Sequence, residues 1–411
     1  MDIIVNRSNI CGSIDGISSK SYAQRAIFCS ILSGGLSHIK IDTISNDIQS
    51  ALDVARDLGC EVEFSDNVFS INSDVDFPQK VSLNVHESGT TLRFLIPLLA
   101  VLGIKAEIKR EKTLIKRTNK VYFDVFPEHG VSIEEKDDLI ILDGKLKPGV
   151  FNVAGNISSQ FISGLLIALG SLKEKSEIII NSNLESKPYV DMTIDVMKEF
   201  GVKVDIGDNF YKLKGPYLSA DYNVEKDWSN ALFFLCAGAE VKGLNLLSKQ
   251  ADKKALIYLE KLGYVNVSKD NVKLMKIRPE QKFRVLDAKD IPDSVPVLSL
   301  ISAITPGRTK VINIKRLRYK ESDRVRSTVD MLRSLGIDVI EDKEYFIFDS
   351  VKKFRSCMID SYNDHRIAMT AAIAAKFVEG SIKITDADCV DKSYVGFFDD
   401  YLKLGGDVGV L

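Results

Sequence analysis

Apolar positions along this chain recur in a helix-like rhythm that ends on glycine and passes at once into a short alternating stretch. The pattern first reads Leu52-Asp-Val-Ala-Arg-Asp-Leu-Gly59-Cys-Glu-Val, and again Val125-Phe-Pro-Glu-His-Gly130-Val-Ser-Ile. It returns with Gly201, Gly263, Gly336 and Gly405, at intervals of 71, 71, 62, 73 and 69 residues. Glycine just past a helix takes the left-handed conformation without steric cost and stops the helix cleanly. After each of the first five copies a polar turn leads into a second strand, as in Glu63-Phe-Ser-Asp-Asn67-Val-Phe-Ser-Ile71, the pattern of a hairpin. Six recurrences at near-constant spacing predict a repeat fold.

Each unit of about 70 residues also holds an earlier helix pattern. Ser21–Leu32, Ser158–Leu169 and Trp228–Ala237 are examples, apolar nearly all round. Helices of that kind belong inside, with sheets outside. The unit therefore reads strand–helix–strand–helix–hairpin. The sixth copy reaches Val410-Leu411 before its hairpin can close, and the strand Asp2–Asn6 is the missing partner. The prediction is an α/β fold of two lobes, each of three inverse βαβαββ repeats. Residues 19–224 form the first lobe; residues 1–18 and 225–411 form the second. A ligand site between two such lobes is the default expectation.

Composition narrows the class. The 411 residues carry 55 basic and 57 acidic side chains, so no overall field draws the chain to nucleic acid or an anionic membrane. The longest apolar runs, such as Phe94–Leu102, are too short to span a bilayer. The N-terminus lacks the regions of a signal peptide. Six cysteines show neither a CxxC pair nor metal-ligand spacing, and read as small buried hydrophobes in a reducing compartment. The expectation is a cytoplasmic protein without metal or cofactor, working as a monomer on small molecules.

The chemistry gathers at helix starts. Arg318-Tyr-Lys320-Glu321-Ser-Asp323-Arg324-Val-Arg326 packs four cations and two carboxylates into nine residues ahead of a helical pattern. Free N–H groups and the helix dipole make such a place attractive to anions; a solvated, ion-paired helix start is the plainer reading. The same logic recurs at Ser18-Ser19-Lys20-Ser21 with Arg25, at Glu87-Ser88-Gly89-Thr90-Thr91-Leu92-Arg93, and at Lys116-Arg117-Thr118. Ser158-Ser159-Gln160 begins a buried helix with three polar side chains, a nest suited to phosphate or sugar hydroxyls. Ser186-Lys187-Pro188-Tyr189, Pro292-Asp293, Asn363-Asp364-His365-Arg366 and Lys392-Ser393 also precede helices. Singly, each reads as well as an ordinary cap. Together they call for a ligand with more than one phosphate or carboxylate.

In this order, from Lys20 to Lys392, the motifs resemble those of the 3-phosphoshikimate 1-carboxyvinyltransferase (EPSP synthase) family of enolpyruvyl transferases. The resemblance implies the same inside-out α/β barrel of two lobes, closing over shikimate 3-phosphate and phosphoenolpyruvate. It implies transfer of the enolpyruvyl group to the 5-hydroxyl of the shikimate ring. Ser158, Ser159 and Ser186 would hold the shikimate phosphate, Ser21 and Arg25 the ring and carboxylate, with Gln160 reaching between the substrates. Arg117, Arg324, Arg366 and Lys392 would clamp phosphoenolpyruvate, with the Gly89 backbone beside it, where the inhibitor glyphosate would also sit. Lys20 and Lys320 would bridge both ligands. Asp293 resembles the family's proton acceptor and Glu321 its donor, while the division of proton transfer among Lys20, Asp293 and Glu321 stays open.

Four positions depart from the family pattern: Ser19 replaces a usual glycine, and Gln24, Glu87 and Arg316 stand where asparagine is common. Glu87 bears most directly on an anion site, because an added carboxylate there weakens binding unless it is paired. Two rival readings are disfavoured by the sequence. The UDP-N-acetylglucosamine enolpyruvyl transferases use a first-lobe loop cysteine, and no cysteine occurs here between Cys60 and Cys236. A catalytically dead phospho-ligand binder would not need Asp293, Glu321 and Lys20 together.

Overall fold

The computed structural model describes residues 1–411. The chain forms two compact units, residues 18–224 and residues 1–17 with 225–411. The first division falls one residue earlier than the sequence suggests. The Ser18 amide and hydroxyl both donate to Asp42 Oδ1, at 2.8 and 2.7 Å, which binds Ser18 into the 18–224 unit.

That unit holds α1 (Lys20–Ile31), α2 (Asn46–Asp57), α3 (Gly89–Leu102), α4 (Lys120–Val125), α5 (Ser159–Leu169) and α6 (Lys187–Glu199). There are two helices per repeat, and they differ in kind. α1, α3 and α5 are buried nearly all round, whereas α2 buries Ile48, Ala51, Leu52 and Ala55 and turns Asp57 outward. The six repeat glycines, Gly59, Gly130, Gly201, Gly263, Gly336 and Gly405, all have φ between 80° and 95°. A Cβ would be strained at each, which is why the same residue recurs.

Each repeat contributes one four-stranded sheet. In the second repeat Lys80–Asn84 runs parallel to Lys105–Lys109, which pairs antiparallel with Leu139–Gly144, itself paired with Val131–Lys136. The third repeat has the same order. In the first, the parallel edge strand comes from the far end of the unit: Asp221–Asn223 lies beside Leu36–Lys40. Along Lys105–Lys109 the buried residues are Ala106 and Ile108, with both lysines exposed, so one sheet face packs on helices and the other meets water.

The second unit repeats the plan with α7 (Trp228–Ala237), α8 (Ala255–Lys261), α9 (Val295–Ile304), α10 (Arg324–Ser334), α11 (His365–Ala374) and α12 (Phe397–Lys403). α7, α9 and α11 pack against one another and are buried along nearly their whole length. Ser13–Asp15 supplies the parallel edge of the fourth sheet, beside Glu240–Lys242. Ile3–Asn6 enters the sixth sheet between Ser381–Thr385 and Asp407–Val410, with Ile3 opposite Ile384 and Val410 and Val5 opposite Ile382 and Val408. No helix is long and apolar enough to cross a membrane.

One packing device positions a polar residue. Pro97 inside α3 has no N–H for the carbonyl four residues back, that of Arg93. The Tyr122 hydroxyl takes that place, donating to Arg93 O at 2.6 Å. Gly164 of α5 lies over the same carbonyl, where an added Cβ would stand 2.2 Å from Arg93 O. The backbone that carries Arg93 is thereby fixed from two sides.

Candidate functional site

In the 18–224 unit the motif residues cluster at helix N-termini. Ser158 caps α5 by accepting from Gln160 N, and Ser88 caps α3 by accepting from Thr91 N. Ser19 starts α1 without a side-chain cap, and Ser186 precedes α6 at φ 51°, also without one. Lys20 Nζ pairs with Asp47 Oδ2 at 2.8 Å. Gln24 is fully buried and donates through Nε2 to Asp47 O, Ser88 Oγ and Thr91 Oγ1 at 3.1–3.2 Å, joining the starts of α2 and α3.

Arg25 is 2% exposed. It donates to Thr193 Oγ1 at 2.8 Å, Ser21 O at 2.6 Å and Tyr189 O at 3.0 Å, and lies over the Phe94 ring. Burial pushes its pKa down to about 10. These bonds use three of its five donors. At Gly89 a Cβ would meet Arg117 Nη1 at 2.8 Å and Arg93 Nη1 at 3.0 Å, so two guanidinium groups converge on the first turn of α3. Gln160 bridges to the same place, accepting from Arg93 Nη1 at 2.6 Å and donating to Thr90 Oγ1 at 2.9 Å. Glu87 accepts from Lys112 Nζ and Thr113 Oγ1, both at 3.2 Å. The added carboxylate is thus paired.

In the other unit the site is built on Asp293. It does not cap α9: the residue at the cap is Ser294, which makes no side-chain cap bond. Instead Asp293 Oδ1 accepts from Arg324 Nη1 at 2.7 Å and Lys320 Nζ at 3.2 Å, and Oδ2 lies 3.5 Å from Arg366 Nη2. Burial opposes charge on this carboxyl, yet Lys320, Arg324 and Arg366 hold it well below the usual range. Lys320 is pushed down by burial, in part offset by Asp293.

Arg324 has no exposed side-chain surface. Its Nε and Nη2 grip both oxygens of Asp364, at 2.9 and 3.1 Å, while Nη2 also meets Glu321. Asp364 is itself fully buried, accepts from Ser322 Oγ at 2.9 Å and caps α11 through Arg366 N. Arg366 donates to Asn230 Oδ1 at 3.0 Å, and Asn230 Nδ2 donates to Ser393 O at 3.2 Å. Asn230 thus ties the start of α11 to the segment bearing the buried Lys392.

Within each unit the structure therefore brings together most of the residues singled out from sequence. Lys20, Ser21, Arg25, Gly89, Arg117, Ser158, Ser159, Gln160 and Ser186 belong to the first unit, and Asp293, Lys320, Glu321, Arg324, Arg366 and Lys392 to the second. Sequence reading missed Asp47, Arg93, Asn230 and Asp364 as partners. Arg93 and Asp364 lie inside quoted motifs, and a lone Asn in the apolar α7 was a signal, because a buried amide needs partners. Asp47 gave none.

A sequence profile of the EPSP synthase (3-phosphoshikimate 1-carboxyvinyltransferase) family matches residues 4–401. The 3-phosphoshikimate 1-carboxyvinyltransferase of Clostridium perfringens (strain ATCC 13124) is 38% identical over 419 residues, covering 98% of each chain. That of Clostridium beijerinckii is 37% identical over 418 residues, covering 97% of this chain and 96% of its own. Among solved structures, EPSP synthase from Acinetobacter baumannii superposes with a TM-score of 0.80 at 21% identity, over the whole of both chains.

Proposed function

Since this chain belongs to the EPSP synthase (3-phosphoshikimate 1-carboxyvinyltransferase) family, we propose that it transfers the enolpyruvyl group of phosphoenolpyruvate to the 5-hydroxyl of shikimate 3-phosphate, releasing phosphate. The observation that carries the reading is the setting of Asp293. A mere helix cap would bond the backbone of α9; this carboxylate instead faces Lys320, Arg324 and Arg366.

The chemistry suits these groups. The 5-hydroxyl oxygen adds to C2 of phosphoenolpyruvate while Asp293 takes its proton, and Glu321 delivers a proton to the methylene carbon. The tetrahedral adduct then loses phosphate and a methyl proton, regenerating the double bond. Arg324, Arg366, Lys392 and Arg117 hold the phosphate and carboxylate of phosphoenolpyruvate, close to the Gly89 backbone, and stabilise the charge that develops on them. An anion drawing on the same cations loosens their hold on Asp293 and raises its proton affinity, as a base requires. Ser158, Ser159 and Ser186 take the shikimate phosphate, Ser21 and Arg25 the ring, with Lys20, Lys320 and Gln160 between the ligands. Lys20, paired with Asp47, completes the set with Asp293 and Glu321 that shares the proton work. All six cysteines are free, which supports a cytoplasmic location. The test is release of inorganic phosphate when the pure protein meets both substrates, dependent on each. Absence of release would overturn the proposal.

A further inference from the structure

The proposed reaction uses Asp293 but leaves a second carboxylate, Asp252, without a part. Asp252 lies in the turn Ala251–Lys254 ahead of α8 and is 1% exposed. Its Oδ2 accepts from Ser229 Oγ at 2.7 Å, and its Oδ1 accepts from the hydroxyl of Ser294, the residue that follows Asp293 in the chain. Ser229 is in the first turn of α7 and Ser294 directly precedes α9. One carboxylate thus ties together the starts of two buried helices, where dipoles and free N–H groups favour negative charge.

Tying helices does not by itself call for a charge. An amide or a well-packed apolar group would join these ends without burying an ion, and such exchanges are often neutral or stabilising. What distinguishes the position is its neighbour. Asp293 is faced by Lys320, by Glu321, by Arg324 of α10 and by Arg366 of α11, and Asp252 is joined to the adjoining residue, Ser294, close enough for the two carboxylates to interact. Burial raises the proton affinity of Asp252, and the charge of Asp293 raises it further, so each carboxylate feels the other. The next pair on these elements, Lys254 with Asp290 at 2.6 Å, is partly exposed and satisfied internally.

We propose that Asp252 is a positioning residue for this reaction, fixing Asp293 through the Ser294 hydroxyl and opposing with its charge the cations that surround Asp293. The inference rests on the enolpyruvyl-transfer reading above. Its test is the Asp252→Asn variant, which keeps the shape of the site and removes the charge. Relative to the unmodified protein, kcat should fall about tenfold with little change in KM for either substrate. The acid limb of the pH profile should move down by about one pH unit, which corresponds to that tenfold weakening of the base. A purely structural role would lower the melting temperature and leave the limb in place, and that result would overturn the inference. Ser294→Ala leaves the buried charge and cuts the link: kcat should fall while the acid limb stays. If Asp252→Asn does not fold, unchanged kcat in Ser294→Ala overturns the positioning role by itself. No turnover by the unmodified protein would overturn the reading and this inference with it; normal turnover there with normal kcat in both variants would overturn the inference alone.

Discussion

At the scale of single residues, Asp293 separates chemistry from structure. Asp293→Asn keeps the size and removes the base, so turnover should fall by about 10²–10⁴. Stability should fall by only about 1–3 kcal/mol, because Arg324 keeps Asp364 and Glu321, and Arg366 keeps Asn230. The pH dependence has a definite sign. A carboxyl depressed in the folded state stabilises it above its ordinary value near ~3.9, and that contribution is lost as pH falls through the folded value. The stability gap between the two proteins should therefore be full at neutral pH and close in acid. Urea titrations at pH 7 and pH 3 check this; a gap that widens in acid would show that the cations do not hold Asp293 charged. Gly89 offers a second test. The Cβ of Gly89→Ala would press on the flexible ends of Arg117 and Arg93, so the fold survives while both guanidinium groups shift. Loss of one charge-assisted hydrogen bond is worth about 1.5–3 kcal/mol, or roughly 10- to 150-fold in KM for phosphoenolpyruvate. Shikimate 3-phosphate affinity should hold, and equal loss of both would count against the assignment. Sequence named Asp293, Gly89 and Arg117 because they stand in contiguous motifs. Asn230 offered only the signal of an amide in an apolar helix, and Asp47 none, because their partners lie far away along the chain.

At the scale of elements, the legible features were those repeated: helices apolar all round, the glycines that end helices, and the hairpins. Asp221–Asn223 and Ser13–Asp15 were not legible, since three residues carry too little alternation to mark a strand. The junction of α3 with α5 was equally hidden, although its parts follow from Pro97. With no proline N–H to serve it, the Arg93 carbonyl depends on the Tyr122 hydroxyl, which is buried and held protonated by that burial. Tyr122→Phe keeps the ring and removes the donor, including its longer approach to Phe161 O of α5 at 3.2 Å. A buried carbonyl left without a partner costs about 1–3 kcal/mol, so the melting temperature should drop by several degrees. Because Arg93 sits on that turn and grips Gln160, KM for phosphoenolpyruvate should rise as well. A variant with unchanged melting temperature would mean that the carbonyl finds another donor, and that Gly164 alone keeps the two helices close.

At the scale of the whole molecule, the chain passes twice between its units, at Ile17–Ser18 and at Val224–Glu225, so one unit is built from both ends of the sequence. The unfinished sixth repeat made that arrangement readable, because a strand with hydrogen-bonding positions on both sides must find two neighbours. Ile3–Asn6 has them, and Ile3 and Val5 are at most 1% exposed. Burying such a pair contributes about 1.5–3 kcal/mol for each side chain, before the ladder bonds on either side are counted. That is a large share of the ~5–15 kcal/mol that holds a typical domain together. A chain lacking residues 1–6 should therefore lose protection against amide exchange across residues 225–411, most strongly in Ser381–Thr385 and Asp407–Val410. Residues 18–224 close their own sheets with Asp221–Asn223 and share no ladder with the deleted strand, so their exchange should remain slow. Exchange followed by mass spectrometry reads both halves in one experiment. Equal loss in the two units would mean that they unfold as one cooperative body, and unchanged protection near Ile382 would mean that the inserted strand contributes little to the sheet it completes.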